Sequence, residues 1–355
     1  MKKVAVIGAG IFGLQAALEL SKFCSVKVFE RRSLIIPEAT SQNMYRHHMG
    51  YHYPRSDSTV KEIKDASASF EEEYSECLVK DFPAYYSVAK DDSMSTKDEV
   101  ISFMKRNNLP YEEINAPDWL INKEKITACF KTPEAVYDPF LLRGLLVEKI
   151  KDKVDVKLDH EIIGGDKDTK TLKIKNGDKE FEEKFDVIIN ATYSHFNTFN
   201  KWFDFPMQEV QYDLMELLVL KLPIKEKFGM LILDGHFCTI LPIGEQGTFV
   251  LGHVKHTMLK RLVAKEMEDI HNNRQIESNR DVILRESTKW MPFLKDAKVV
   301  KSMYSTRVIK PHREYDDARP TEITVYGDGF YSIFAGKVIT AVKTARELAQ
   351  KVKDE

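Results

Sequence analysis

Short apolar runs and helix-spaced apolar residues alternate along this chain, and the first thirty residues set the pattern. Val4-Ala5-Val6-Ile7 has the length and composition of a strand buried on both faces. Leu14, Ala17 and Leu18 then recur at helical spacing, and Val26-Lys27-Val28-Phe29 forms a second strand ending on Glu30. Between the first strand and the helix lies Gly8-Ala9-Gly10-Ile11-Phe12-Gly13. Strand, glycine turn, helix, strand and terminal acid stand in the order a dinucleotide-binding βαβ unit requires. In such a unit Gly8 makes the tight turn, Gly10 admits a pyrophosphate to the backbone, and Gly13 lets helix pack on strand. The helix start at Ile11 and Phe12 offers free N–H groups and a positive dipole end to the phosphates. Glu30 would accept hydrogen bonds from a ribose diol, and its charge disfavours a 2′-phosphate although Arg31 and Arg32 follow it.

Further along, Thr59 and Glu62 read as a capping box opening a helix with Val60, Ile63, Phe70 and Tyr74 on its inner face. Thr96 and Glu99 signal another helix that ends before Asn107-Asn108. Asp138-Pro139 caps a helix carrying Leu142, Leu145, Leu146 and Ile150. The stretch from Val154 to Thr192 is strand-like, with hairpin punctuation at Gly164-Gly165 and Asn176-Gly177. Residues 211–222 and 236–254 alternate strand and turn, residues 257–289 read as polar helix, and a strand at 329–334 leads into a last helix.

Composition adds limits. Lys plus Arg number 53 against 55 Asp plus Glu, so the chain gives no global reason to expect nucleic acid or an anionic membrane as partner. The four cysteines are scattered without metal spacing, which fits reduced thiols and a cytoplasmic location. No apolar run is long enough to span a membrane. Lys2-Lys3 before an apolar stretch imitates a secretory signal, but Glu19 and Lys22 continue an amphipathic helix where a cleavage site would stand.

Residues 39–56 differ from everything around them. Three of the ten histidines (His47, His48 and His52) fall here among Arg46, Arg55 and several tyrosines. Strand-like alternation would put His48 and His52 on one face and His47 on the other. A histidine of near-neutral pKa can take a hydroxyl proton as a carbon-bound hydrogen leaves. With no carboxylate or cysteine close by, no metal site is expected.

Four separated blocks carry a resemblance: the glycine block with Glu30, residues Ser41-Gln42-Asn43 to His48 and Gly50, Val187 to Thr192, and Ser332 to Lys337. Through them the chain resembles the FAD-dependent oxidoreductases of the D-amino-acid oxidase superfamily, and is similar to glycerol-3-phosphate dehydrogenase and L-2-hydroxyglutarate oxidase. The resemblance implies an α/β fold: a Rossmann-like FAD-binding domain from residues 1–76, 135–205 and 301–355, and a mixed-sheet α+β substrate domain from 77–134 and 206–300. It implies FAD, held by Gly8, Gly10, Ile11, Phe12, Gly13, Glu30 and Arg31, and farther along by Ser41, Asn43, Ala191, Thr192, Gly336, Lys337 and Val338. His48, Arg307 and Lys337 become the catalytic candidates. His48, His52, Arg307 and Arg319 become the contacts for a small anionic substrate, with Arg46 and Arg55 in support. A guanidinium suits that task because its planar fork pairs two oxygens at once. For Arg319 an ion pair with Glu314, Asp316 or Asp317 is the competing reading. The implied reaction moves a hydride from a hydroxyl- or amine-bearing carbon to flavin N5, with oxygen or an electron carrier as acceptor. Met44 and Tyr45 stand where relatives commonly have small residues, so a bulkier wall beside the flavin is expected, and a nucleotide-binding sensor without turnover is the alternative.

Overall fold

The computed structural model describes residues 1–244, 246–267, 277–313, 315 and 318–355. Two sheets dominate it. The first has six strands in the order Glu322–Gly327, Phe330–Phe334, Val187–Asn190, Lys3–Ile7, Ser25–Phe29 and Asp155–Lys157. Its inner strands run parallel: Lys3–Ile7 pairs with Ser25–Phe29 on one side and Val187–Asn190 on the other. Alternation sends Val4 and Val6 into one core with Leu14 and Ala17 of helix Ile11–Leu20 and Val342 and Leu348 of helix Ala341–Asp354. Ala5 and Ile7 face the opposite core, which Phe199, Phe203, Phe330 and the hairpin residues Leu172 and Ile174 complete. Burial on both faces is why these strands read as unbroken apolar runs.

The second sheet has nine strands and is mixed. Val210–Lys221 and Lys298–Ile309 pair antiparallel along their length, whereas Gly229–Leu233 runs parallel to Ala84–Ala89. The architecture is the α/β fold expected, a Rossmann-like sheet joined to a mixed-sheet α+β unit. No helix is long and apolar enough to cross a membrane among the described residues.

Several local expectations are corrected. The helix expected from Thr59 spans Asp57–Tyr74 and is capped by Ser56, whose side chain accepts from Thr59 N–H. Glu62 is not its capping-box partner, because its carboxylate takes the Thr321 N–H (2.8 Å) and Lys337 Nζ (3.2 Å) instead. Residues 257–289 are not one polar helix. Met258–Ala264 is a strand paired to Val210–Lys221, helix is confined to Arg280–Thr288, and residues 268–276 lie outside those described. Gly164-Gly165 is no turn but lies within strand Glu161–Asp166, where a Cβ on Gly165 would fall 2.3 Å from the Phe203 ring. Residues 301–309, expected to open the last nucleotide-domain segment, continue a strand of the second sheet, because Arg307 registers opposite Asp213. By contrast, Thr96 with Glu99 does form a capping box, and Asp138 caps helix Pro139–Ile150.

Candidate active site

A single cavity of about 700 Å³ runs from the glycine turn to the segment around Lys337. At the glycine end the walls are backbone. Gly8 has φ of +103° and donates its N–H to Phe29 O, and a Cβ there would lie 2.7 Å from Ala191 O. A Cβ on Gly13 would meet Gly8 O at 2.0 Å, so this glycine lets the helix approach the turn and does not itself line the cavity. Gly10 does line it, and the nearest atom to a Cβ there is Thr40 Oγ1 at 3.7 Å.

Helix Ile11–Leu20 therefore starts at the cavity wall. Leu14 N–H is the first to bond back into the helix, to Gly10 O, and Ile11 N–H leans on Thr40 Oγ1 at 3.3 Å. The remaining first-turn donors are the ones a phosphate would take. Glu30, 7% exposed, accepts from Ala9 N–H and Arg32 N–H, each at 2.9 Å, so its carboxylate is fixed beside the turn. A backbone cradle that excludes a Cβ at Gly8, an open face at Gly10 and a fixed acid fit the diphosphate and ribose of FAD.

The other cofactor candidates divide. Ile11, Phe12, Arg31, Asn43, Ala191, Thr192, Gly336, Lys337 and Val338 line the cavity. Arg31 also reaches Glu38 at 3.2 Å. Ser41 does not line the cavity, because its hydroxyl turns back to Ile36 O. Asn43 spends its amide on Ala39 O, Thr40 O and the Tyr137 hydroxyl, and so holds the turn that carries the histidine block. Of the two bulky neighbours, Met44 lines the cavity, packed close to Gly252. Tyr45 does not: with φ of +54° it points into the core, edge-on to Tyr137, and its hydroxyl donates to Ser41 O. The wall is thickened by one side chain, not two.

At the far end the walls are charged side chains. His48 and His52 line the cavity with ring centroids 6.4 Å apart, and Tyr53 lies within 5.4 Å of both. His47 is buried on the other side and meets Glu71 at 3.1 Å, the partition the alternation implied, although only Arg46–His47 is strand. Burial pushes the His48 imidazole well below its ordinary pKa, and the charges of Arg46, Lys337 and Arg319 push the same way. His52 is held down likewise by burial and by arginines. Burial and the neighbouring cations thus favour the neutral form of both rings, the form that can accept a proton.

The cations differ in how far each is neutralised. Arg307 lines the cavity but its Nη2 lies 2.6 Å from Asp213, a carboxylate with no exposed surface that also holds Arg261 at 2.8 Å. Lys337, 3% exposed, sits between Glu62 and Arg319 O. Arg55 pairs with Asp234 at 2.8 Å. Arg319 lines the cavity with no ion pair among the described residues; Glu314, Asp316 and Asp317, its proposed surface partners, lie outside them. All four cysteines are buried and free, and no group of three His, Cys, Asp or Glu side chains among the described residues is placed to hold a metal ion.

Sequence reasoning missed Asp213 and Glu62 as the partners that fix Arg307 and Lys337. Asp213 had a signal: an acid inside the largely apolar strand Val210–Lys221, like Glu216 beside it, must be paired to be buried. Glu62 had a misleading one, since its spacing from Thr59 imitates a cap.

A family model described as DAO, FAD dependent oxidoreductase, matches residues 3–341. The chain is 26% identical over 359 residues to the FAD-dependent monooxygenase FPY4 of Fusarium mangiferae, covering 99% of this chain and 91% of that one. The glycine oxidase of Geobacillus kaustophilus superposes with a TM-score of 0.75 at 13% identity, over 100% of this chain and 96% of that one. The L-α-glycerophosphate oxidase of Mycoplasma pneumoniae, solved with FAD bound, gives 0.74 at 15% identity, over 100% and 96%.

Proposed function

The chain belongs to the DAO family of FAD-dependent oxidoreductases, and from that membership we propose that it oxidises a hydroxyl- or amine-bearing carbon of a small anionic substrate. When bound, FAD would supply the two-electron acceptor for that oxidation. Gly8, Gly10, Ile11, Phe12 and Glu30 would hold its diphosphate and ribose, with Gly13 letting the helix close on the turn. Arg31, Asn43, Ala191, Thr192, Gly336, Lys337 and Val338 would follow it toward the histidines. Oxygen is the acceptor this reading favours, on the strength of the fungal relative's name. The same reading assigns residues 1–76, 135–205 and 310–355 to the cofactor's domain and the rest to the substrate's.

The observation that carries the proposal is the pairing of neutral imidazoles with arginines at one end of the cavity. His48 takes the hydroxyl or ammonium proton, and His52 lies on the same wall. Arg319, with Arg307 behind it, gives that end the positive potential that draws in a carboxylate or phosphate. Lys337, tied to Glu62, holds the Gly336 turn in place while keeping its charge close to Tyr53, 5.3 Å from the ring centroid. The test is anaerobic mixing of the flavin-loaded protein with small hydroxy and amino acids and their neutral esters. Loss of the oxidised flavin spectrum with an acid but not with its ester is the expected result. Equal bleaching by both would reject the anionic substrate.

A further inference from the structure

We infer that Arg46 is the residue that takes the substrate's anionic group, with Glu134 as the positioning carboxylate behind it. This rests on the reading that the substrate is a small anion. The cations around the histidines are not equivalent: Arg307, Arg55 and Lys337 each have a carboxylate within 3.2 Å. Arg46 lines the same cavity, forms no ion pair among the described residues, and has Nε and Nη1 sealed from solvent with no acceptor. A buried charged donor without an acceptor is costly, so a cavity wall that carries one is completed by a ligand that brings the acceptor. Arg319 also has no ion pair among the described residues, but none of its nitrogens is sealed and orphaned in this way.

Placement explains why Arg46 stays unpaired. It lies on the short strand Arg46–His47, opposite Val136, which brings it close to Glu134, the residue that precedes the neighbouring strand Ala135–Tyr137. Glu134 is 3% exposed and both its oxygens are already engaged, Oε1 by Met49 N–H at 3.0 Å and Oε2 by the Tyr86 hydroxyl. It stands near the guanidinium without taking its hydrogen bonds. Burial also pushes this carboxyl above its ordinary pKa, against the pull of Arg46, which leaves the arginine's charge less cancelled. Arg46 is in turn the charge acting most strongly on both His48 and His52. An oxyanion held by the Arg46 fork would therefore bring the rest of the substrate against the two groups able to take its proton.

Acetate and sulfate, titrated into the flavin-loaded protein and followed by perturbation of the flavin spectrum, report occupancy without turnover. Arg46→Gln should raise the acetate Kd about tenfold or more, as loss of a charge-assisted contact does. Arg46→Lys should recover only part, because the point charge lacks the fork. Glu134→Ala should weaken acetate binding severalfold and Glu134→Gln should restore it, since the amide oxygen still accepts from Met49. A purely structural Glu134 would lower Tm without moving Kd, which overturns its positioning role. If the wild type binds acetate and Arg46→Gln binds it equally well, the assignment of Arg46 fails while the anionic reading stands. If the wild type binds neither anion, the anionic reading fails and takes this inference with it. Should Arg46→Gln not retain flavin, Arg46→Lys decides: an unchanged Kd there rejects the fork.

Discussion

The two ends of the cavity are built by opposite means. At the glycine end the walls are main chain, and the residues that shape them, Gly8 to Glu30, are neighbours in sequence. At the histidine end the walls are side chains from separated segments, and each charge is set by a partner far away along the chain. Arg307 depends on Asp213, Lys337 on Glu62, and Arg46 on having no such partner among the described residues. A main-chain cradle tolerates change in the surrounding residues but not a Cβ in the wrong place. A side-chain cluster tolerates change in shape but not the loss of one charge from a balanced set.

The sharpest way to break the comparison is therefore a methyl group at one end and a charge at the other. Gly13→Ala puts a Cβ 2.0 Å from the Gly8 carbonyl oxygen, and no side-chain rotation relieves a clash with main chain. A loss of about 4 kcal/mol, in the tail of single-substitution effects, is expected, together with loss of flavin. Thermal unfolding and flavin content measure both, and a mutant of wild-type Tm would mean the helix is free to slide. Asp213→Asn comes next, at about 3 kcal/mol, because it removes the carboxylate charge facing Arg307 and Arg261 at once, while each arginine stays partly in contact with solvent. Burial pushes the Asp213 carboxyl up, but Arg307's charge and the hydrogen bonds from Arg261, Arg307 and Gln211 outweigh it and hold it below its ordinary range. A depressed carboxylate adds stability that is present above its unfolded pKa and lost as pH falls through the folded one. The wild type should thus lose stability on acidification below about pH 4, near the unfolded aspartate pKa, by an amount that Asp213→Asn abolishes. Identical acid-unfolding curves for the two would remove the pair from the account.

His48→Asn should act on chemistry and leave the fold in place. Loss of a general base lowers turnover by about a hundredfold at the least, while the Kd for acetate changes little because no formal charge is removed. The sign of the pH dependence follows from the imidazole's depressed pKa. The neutral ring is the active form, so activity is full above that pKa and falls as pH drops through it. The acid limb of the wild-type profile should lie below the ordinary histidine value of 6.5 and vanish in the mutant. A mutant that keeps the limb would move the base to His52 or elsewhere.

Legibility in the sequence followed the same division. The βαβ unit, its glycines and Glu30 were readable because their geometry is local, and the parallel order of the inner strands followed from it. His48 and His52 could be separated from His47 by alternation alone, even though most of that segment is not strand. What could not be read was which cation has a partner. Asp213 lies 94 residues from Arg307 and Glu62 lies 275 from Lys337, and no periodicity reports such pairings. The same blindness produced the false cap at Thr59, where a local pattern was real but long-range donors, Thr321 N–H and Lys337 Nζ, claim the Glu62 carboxylate. Tyr45 failed for a different reason: its left-handed backbone turns the ring away from the cavity, a conformation that aromatic residues seldom adopt.

The smallest expected effect tests whether Glu30 serves the cofactor or only the turn. Its carboxylate already accepts two main-chain N–H groups, from Ala9 and Arg32, so it is a structural pin whatever binds beside it. Glu30→Gln retains one acceptor oxygen and presents an amide N–H₂ where the other acceptor stood. One of the two pins is lost, at about 1.5 kcal/mol for a bond to a charged group. If the carboxylate also accepts from the ribose diol, the diol loses the charge-assisted half of its contact, and the FAD Kd should rise up to about tenfold. Quenching of flavin fluorescence on reconstitution gives the Kd, and thermal unfolding of the apo form gives the stability. A lowered apo Tm with a raised FAD Kd is the expected pair. A lowered Tm with unchanged FAD affinity would leave Glu30 as a brace for the turn. The main-chain cradle alone would then account for nucleotide binding at that end.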